Sequence, residues 1–179
     1  MKALYFLIPI LMVNGCKTQT QTGTVIASEN TSMEQVENNT VGCPEEGNCT
    51  VVVHKNKKLT VRQDGIGSTY PEITDGENMV VEFTYLKKGP EGTADGDYSE
   101  TILFEIPATT TNLSKANASL SDVNLLFGRH CFCRDGGYFP ITDGKLMVER
   151  TDRAIMFNLR FKTDKTTQVI SQITETVKI

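Results

Sequence analysis

A chain of 179 residues with 18 Lys and Arg against 22 Asp and Glu carries a formal charge of −4. That balance lacks the basic excess that attracts a nucleic-acid backbone, so no nucleic-acid partner is expected. The length allows one domain with a sizeable core and leaves a second one cramped.

Residues 1–16 read MKALYFLIPILMVNGC: one positive charge at Lys2, an apolar run from Ala3 to Val13, and a small residue before a cysteine. The run is too short to span a bilayer and has the order of a secretory signal. Its end, Val13-Asn14-Gly15-Cys16, resembles the lipobox of bacterial lipoproteins. That resemblance implies removal of residues 1–15 and fatty acylation (palmitate or its kin) of Cys16 as the new N-terminus. Two or three acyl chains anchor stably, at about 0.8 kcal/mol per buried methylene. Lys17, in place of an aspartate, favours the outer membrane by the same resemblance, and the absence of an acidic cluster after it favours the periplasmic face. Residues 17–42, rich in Thr, Gln, Asn, Ser and Glu, have neither strand nor helix periodicity and read as a tether of about 25–30 Å as a random coil. With Lys2 removed, 17 basic residues face 22 acidic ones.

From Cys43 onward the pattern becomes β-rich. Ile155, Phe157, Leu159 and Phe161 alternate with polar or exposed-type residues, as do Met79, Val81, Phe83 and Tyr85, and Tyr98, Ile102, Phe104 and Ile106 with Glu100 interrupting. Period two of this kind places one face in a core. Further strands are expected at 50–54, 58–63, 123–127, 130–133, 138–141, 145–150 and 167–178, with a short helix near Leu113 to Leu120. Asp75-Gly76, Asp95-Gly96 and Asp143-Gly144 read as turns. The fold class is therefore all-β: an antiparallel β-sandwich of about 8–10 strands with at most one short helix, occupying 43–179 as a single domain. The likeness of TYPEITDGENMVVE (69–82) to YFPITDGKLMVE (138–149) raises an internal duplication, against the plainer reading of one strand-turn-strand solution used twice.

Once Cys16 carries lipid, four cysteines remain: Cys43, Cys49, Cys131 and Cys133. In an oxidising envelope an even number reads first as disulfides, and four allow three pairings. A bond from the 43–49 segment to the 131–133 segment would close the longest loop and stabilise by roughly 4 kcal/mol, which favours long-range pairing. The stretch GRHCFCRDGGYF also offers His130, Cys131 and Cys133 to a metal, copper(I) or zinc by ligand softness. On a straight strand the two cysteines face one way and His130 the other, and the only other histidine is His54. A redox pair is the remaining alternative, with Arg129 and Arg134 as nearby cations.

Other candidates carry less. Asp95, Asp97 and Glu100 fall within six residues but lack the EF-hand pattern. Glu72 with Asp75, or Glu82 with Glu100, could form carboxylate pairs only if the fold brings them across a groove. No nucleophile elbow, phosphate loop or HExxH occurs.

The lipobox, CPEEGNC, YPEITDG, LLFGRHCFCR and the closing TQVISQITETVKI together resemble small lipoproteins of Bacteroidota, of flavobacterial type. The resemblance implies compartment, anchoring and one compact domain, and it carries over no activity, substrate or catalytic residue. The expectation is a lipid-anchored envelope lipoprotein that binds another envelope protein or a glycan, or serves a structural role, with no cofactor and no catalysis. The loop 87–97 and the segment 63–72 are expected to form its variable surface. An envelope metal-binding or redox protein using His130, Cys131 and Cys133 is the alternative, and a periplasmic enzyme the next.

Overall fold

The computed structural model describes residues 42–179, so Cys16, the signal segment and the tether up to residue 41 lie outside the described residues. The strands are β1 (Asn48–Gln63), β2 (Thr69–Lys87), β3 (Tyr98–Ile106), β4 (Asn112–Ala116), β5 (Leu126–His130), β6 (Gly137–Pro140), β7 (Asp143–Arg150), β8 (Ala154–Lys162) and β9 (Gln172–Lys178). A single 3-10 turn, Asn117–Val123, joins β4 towards β5. Two sheets result, β1-β2-β3-β5-β6 and β4-β7-β8-β9, with antiparallel pairing throughout. This is the all-β sandwich expected from period-two patterning.

The alternating residues meet as that pattern requires. Val81, Phe83 and Tyr85 of β2, Ile102, Phe104 and Ile106 of β3, and Phe127 of β5 line one inner face. Opposite them stand Leu146 and Val148 of β7, Ile155, Phe157, Leu159 and Phe161 of β8, and Ile173 of β9. Phe104 meets Phe157 edge-on with ring centroids 5.3 Å apart, and Phe127 meets Phe161 at 5.6 Å. Each such burial contributes roughly 1.5–3 kcal/mol relative to exposure.

One inner-face residue breaks the apolar rule. Glu100, fully buried, follows the inward parity of Ile102 and Phe104 into the space between the sheets. There its carboxylate accepts the backbone amides of Val169 at 2.6 Å and Ile170 at 2.7 Å, in the segment leading to β9. Tyr98 donates its hydroxyl to the same carboxylate. A buried carboxylate is tolerated only when its lone pairs are met, and here the satisfying groups belong to the opposite layer.

β1 and β2 are longer than the average strand because they do two jobs. Their bases, residues 48–55 and 79–86, pair within the five-stranded sheet. At Asn56 (φ 56°), a left-handed conformation that Asn tolerates, the register slips: Lys57 faces both Asp75 and Asn78, and Gly76 and Glu77 bulge out. Beyond the bulge the hairpin's distal half lays Leu59, Val61 and Ile73 onto Val80, Leu103 and Leu126, the residues on the sheet's other face. Side chains finish the bend: Glu105 accepts the Leu59 amide at 2.6 Å, and Asn124 donates to the Leu59 carbonyl at 3.0 Å. Thr69 then pairs with Tyr138 of β6, so the path β2-β3-β5-β6 returns to β2 as a closed ring around this second core.

Several expectations change accordingly. Strands at 50–54 and 58–63 are one bulged strand. Asp75-Gly76 forms part of that bulge instead of a turn, and Asp143-Gly144 opens β7, where Gly144 (φ 149°) lies so close to the Arg160 carbonyl that a Cβ would sit 2.3 Å from it. Residues 131–133 are a bend, not strand, and the expected helix at 113–120 divides into β4 and the 3-10 turn. The sequence echo is not a structural repeat, since 69–82 lies within one strand whereas 138–149 spans β6 and β7 in different sheets.

Two substitutions test this architecture. Leu59→Ala should cost about 2–5 kcal/mol by urea denaturation, as for other large-to-small core changes, although Leu59 lies outside the main core. Glu100→Ala, which leaves two amides without an acceptor at about 1–3 kcal/mol each, should lower stability by a similar amount, and Glu100→Gln by less.

Candidate functional site

The sheet register brings three loops to one end of the domain. β2 ends and β3 begins there, with Lys87 opposite Tyr98, so the 88–97 loop crosses that end. β5 runs antiparallel to β3 with Ser99 opposite His130, so its exit, residues 131–136, emerges beside that loop. The bent hairpin returns its tip, residues 64–68, to the far side of the same exit, where Gly67, Ser68 and Thr69 share a concavity with Gly136, Gly137 and Tyr138. The two stretches read as variable surface, 87–97 and 63–72, thus flank the cysteine stretch on either side.

At the centre is a small covalent ring. Cys131 bonds Cys133, with Cα atoms 5.2 Å apart, and the Cys133 amide donates to the Cys131 carbonyl at 2.8 Å. The intervening Phe132 is 91% exposed. Ile66, at the hairpin tip, is 90% exposed. Asp64 holds that tip by accepting the amides of Ile66 at 2.9 Å and Ser68 at 2.8 Å. Both apolar side chains are therefore displayed on conformationally fixed turns, which lowers the ordering cost of any contact they make.

A concavity beside Phe132 is lined by Asp95, Asp97, Ser99 and His130. Asp97 is already committed, accepting from Lys88 at 2.7 Å and from the Gly89 amide at 3.0 Å. Half-burial lowers the His130 imidazole below its ordinary value, which favours the neutral ring. Its ring meets Tyr138 edge-on at 5.0 Å, and Gly128 makes this possible: a Cβ there would lie 2.5 Å from the Tyr138 ring. Ser99 faces His130 across the ladder.

The base of the 131–136 loop is fixed by Arg129. It ion-pairs with Asp135, donates to Thr166 at 3.2 Å and lies 5.5 Å over the Tyr98 ring. Thr166 in turn donates to the Asp135 carbonyl at 2.8 Å, tying this loop to the 163–168 connection of the other sheet.

The remaining candidates are dispersed. The long-range disulfide does not form: Cys43 pairs with Cys49, Cα atoms 5.9 Å apart. The register explains why. Cys49, Tyr85, Glu100 and Arg129 lie in one row across four strands, which separates Cys49 from the β5 exit by about 14 Å, twice what a disulfide spans. His130 is not joined to a sulfur ligand set, because Cys131 and Cys133 are bonded to each other; among the described residues no group of three or more His, Cys, Asp or Glu side chains has metal-site geometry. Glu82 and Glu100 lie on opposite faces of the sheet. Glu82 takes His54 at 2.8 Å, whereas Glu72 ion-pairs with Arg62 and Asp75 with Lys57. Ile66 escaped sequence reading because nothing foretold the hairpin's fold-back, although Asp64 before Gly65 and Gly67 marked a turn.

Against known proteins, the chain matches no family profile, no curated protein and no solved structure. Among the described residues no helix is long and apolar enough to cross a membrane.

The Tyr98 hydroxyl at the base of the site gives a pH signature. Burial, then its bond to Glu100, pushes it up to about 12. A raised phenol means that the unfolded chain loses this proton first, so its contribution to stability is intact below pH 10 and drains away between pH 10 and 12. Urea midpoints measured across that window should fall less steeply in Tyr98→Phe than in the parent chain.

Proposed function

We propose that this chain is a lipoprotein anchored through acylated Cys16 to the outer membrane, facing the periplasm, and that it works by binding and not by acid–base or hydrolytic catalysis. The compartment and anchor rest on residues 1–17 and on the likeness to Bacteroidota lipoproteins. The grip on a partner, an envelope protein or glycan, belongs to the loop end. The observation that carries this is Phe132, a large aromatic side chain almost wholly in water yet fixed between two bonded cysteines and flanked by the Asp95, Asp97, Ser99 and His130 concavity. An exposed aromatic anchor beside a few polar groups on a rigid scaffold is the make-up of a recognition surface.

Against catalysis stand the dispersed acids and histidines. His54 is paired with Glu82 on the sheet face, and Glu100 is enclosed between the layers.

Labelling cells with an alkyne analogue of palmitate tests the anchor: the parent chain should take the label and sediment with membranes, whereas Cys16→Ala should lose both properties. A photo-crosslinking amino acid at position 132 should yield a discrete adduct absent when the probe replaces Met156, an exposed residue on the other sheet. Equal adducts at both positions, or none at 132, would remove the loop end from the proposal.

A further inference from the structure

The Cys131–Cys133 bond does not look like a staple. The chain on both sides of it is already set by the β5–β6 ladder, where Leu126, Phe127, Gly128 and Arg129 pair with Pro140, Phe139, Tyr138 and Gly137, and by the Arg129–Asp135–Thr166 contacts. With one residue between its cysteines it closes the shorter of the two disulfide loops among the described residues, and so constrains the unfolded chain less. Cys133 lies at the surface and Cys131 is half-buried. Arg134, next in sequence, is exposed and has no ion-pair partner among the described residues. Phe132 stands between the sulfurs as an apolar contact for an approaching chain. An accessible, weakly constrained disulfide beside a free cation is of the exchangeable kind.

We infer that Cys131 and Cys133 form a thiol–disulfide exchange site for cysteine-containing protein segments that reach the loop end. A partner thiolate attacks the exposed Cys133 sulfur, forming a mixed disulfide as the 131–133 bond breaks; its electron pair leaves on Cys131, which takes a proton. The partner's second thiol then loses its proton and attacks the partner sulfur of that mixed disulfide, releasing Cys133 as a thiolate that is protonated in turn. The partner dithiol is oxidised to a disulfide, and the Cys131–Cys133 pair is reduced to two thiols. The reverse sequence passes a disulfide's oxidation back. Cys43–Cys49, which closes a longer loop at the entry to β1, serves as the internal reference.

The test uses the full-length oxidised chain exposed to dithiothreitol, quenched with iodoacetamide at intervals and mapped by peptide mass. Cys131 and Cys133 should become alkylated at least ten-fold faster than Cys43 and Cys49, and a synthetic dithiol peptide should be oxidised in step with their reduction. Arg134→Gln should slow the exchange about three-fold with an unchanged circular dichroism spectrum. Equal or slower reduction of 131–133 would overturn the inference. So would a large fall in the urea midpoint of Cys131→Ser/Cys133→Ser, which would make the bond structural. Because the readout is the sulfur chemistry of the purified chain, it stands or falls separately from acylation at Cys16.

Discussion

A carboxylate enclosed between two sheets is the constraint around which this domain is arranged. Left unmet, Glu100 would favour any arrangement that returned it to water; met by the amides of Val169 and Ile170, it ties β3 to the segment entering β9 and so fixes one layer on the other. Apolar packing is tolerant of small slides, but two charge-assisted hydrogen bonds of under 2.8 Å are not. Their row in the sheet also contains Cys49, Tyr85 and Arg129, and Tyr98 leans on the same carboxylate. The loops at that end are thus built on a part of the sandwich held by directional hydrogen bonds.

A second constraint is the double use of β2. Its odd-numbered residues 79–85 supply the main core, while Val80 faces the smaller core formed under the bent hairpin. Closing the ring through Thr69 and Tyr138 covers an outer face that a simple sandwich would leave to water. It also moves the hairpin tip, with Ile66, across to the exit of β5. The fold and the proposed recognition surface are connected through this one bend.

Much of the framework was legible in the letters. Alternation in 79–85, 102–106 and 155–161 gave strands with the right inward faces, because parity is a local property of the extended chain. The loop at 87–97 was legible from its composition, whereas only 64–68 of the segment 63–72 is a turn, its other residues closing β1 and opening β2. What escaped was non-local. Leu59 sits in a strand with little apolar alternation, and only its landing place on Val80, Leu103 and Leu126 explains its burial. Glu100 read as an interruption of a pattern or as part of an acidic loop, since nothing in sequence shows which amides will meet a carboxylate. The cysteines misled for a related reason: loop entropy favours the long connection, whereas the strand register places its ends out of reach. Phe132 was visible as a residue, but its display depends on the bend that the adjacent sulfurs close.

The chain enters the described domain at the same end as the three loops, with Gly42 against the Gln172 carbonyl and the Cys43–Cys49 ring at the foot of β1. Mechanical load therefore has a short route. In the proposed arrangement, a force entering through Gly42 and leaving through a partner at Phe132 would cross one pole of the body. The covalent rings at 43–49 and 131–133 sit at the two points where such a force would enter and leave.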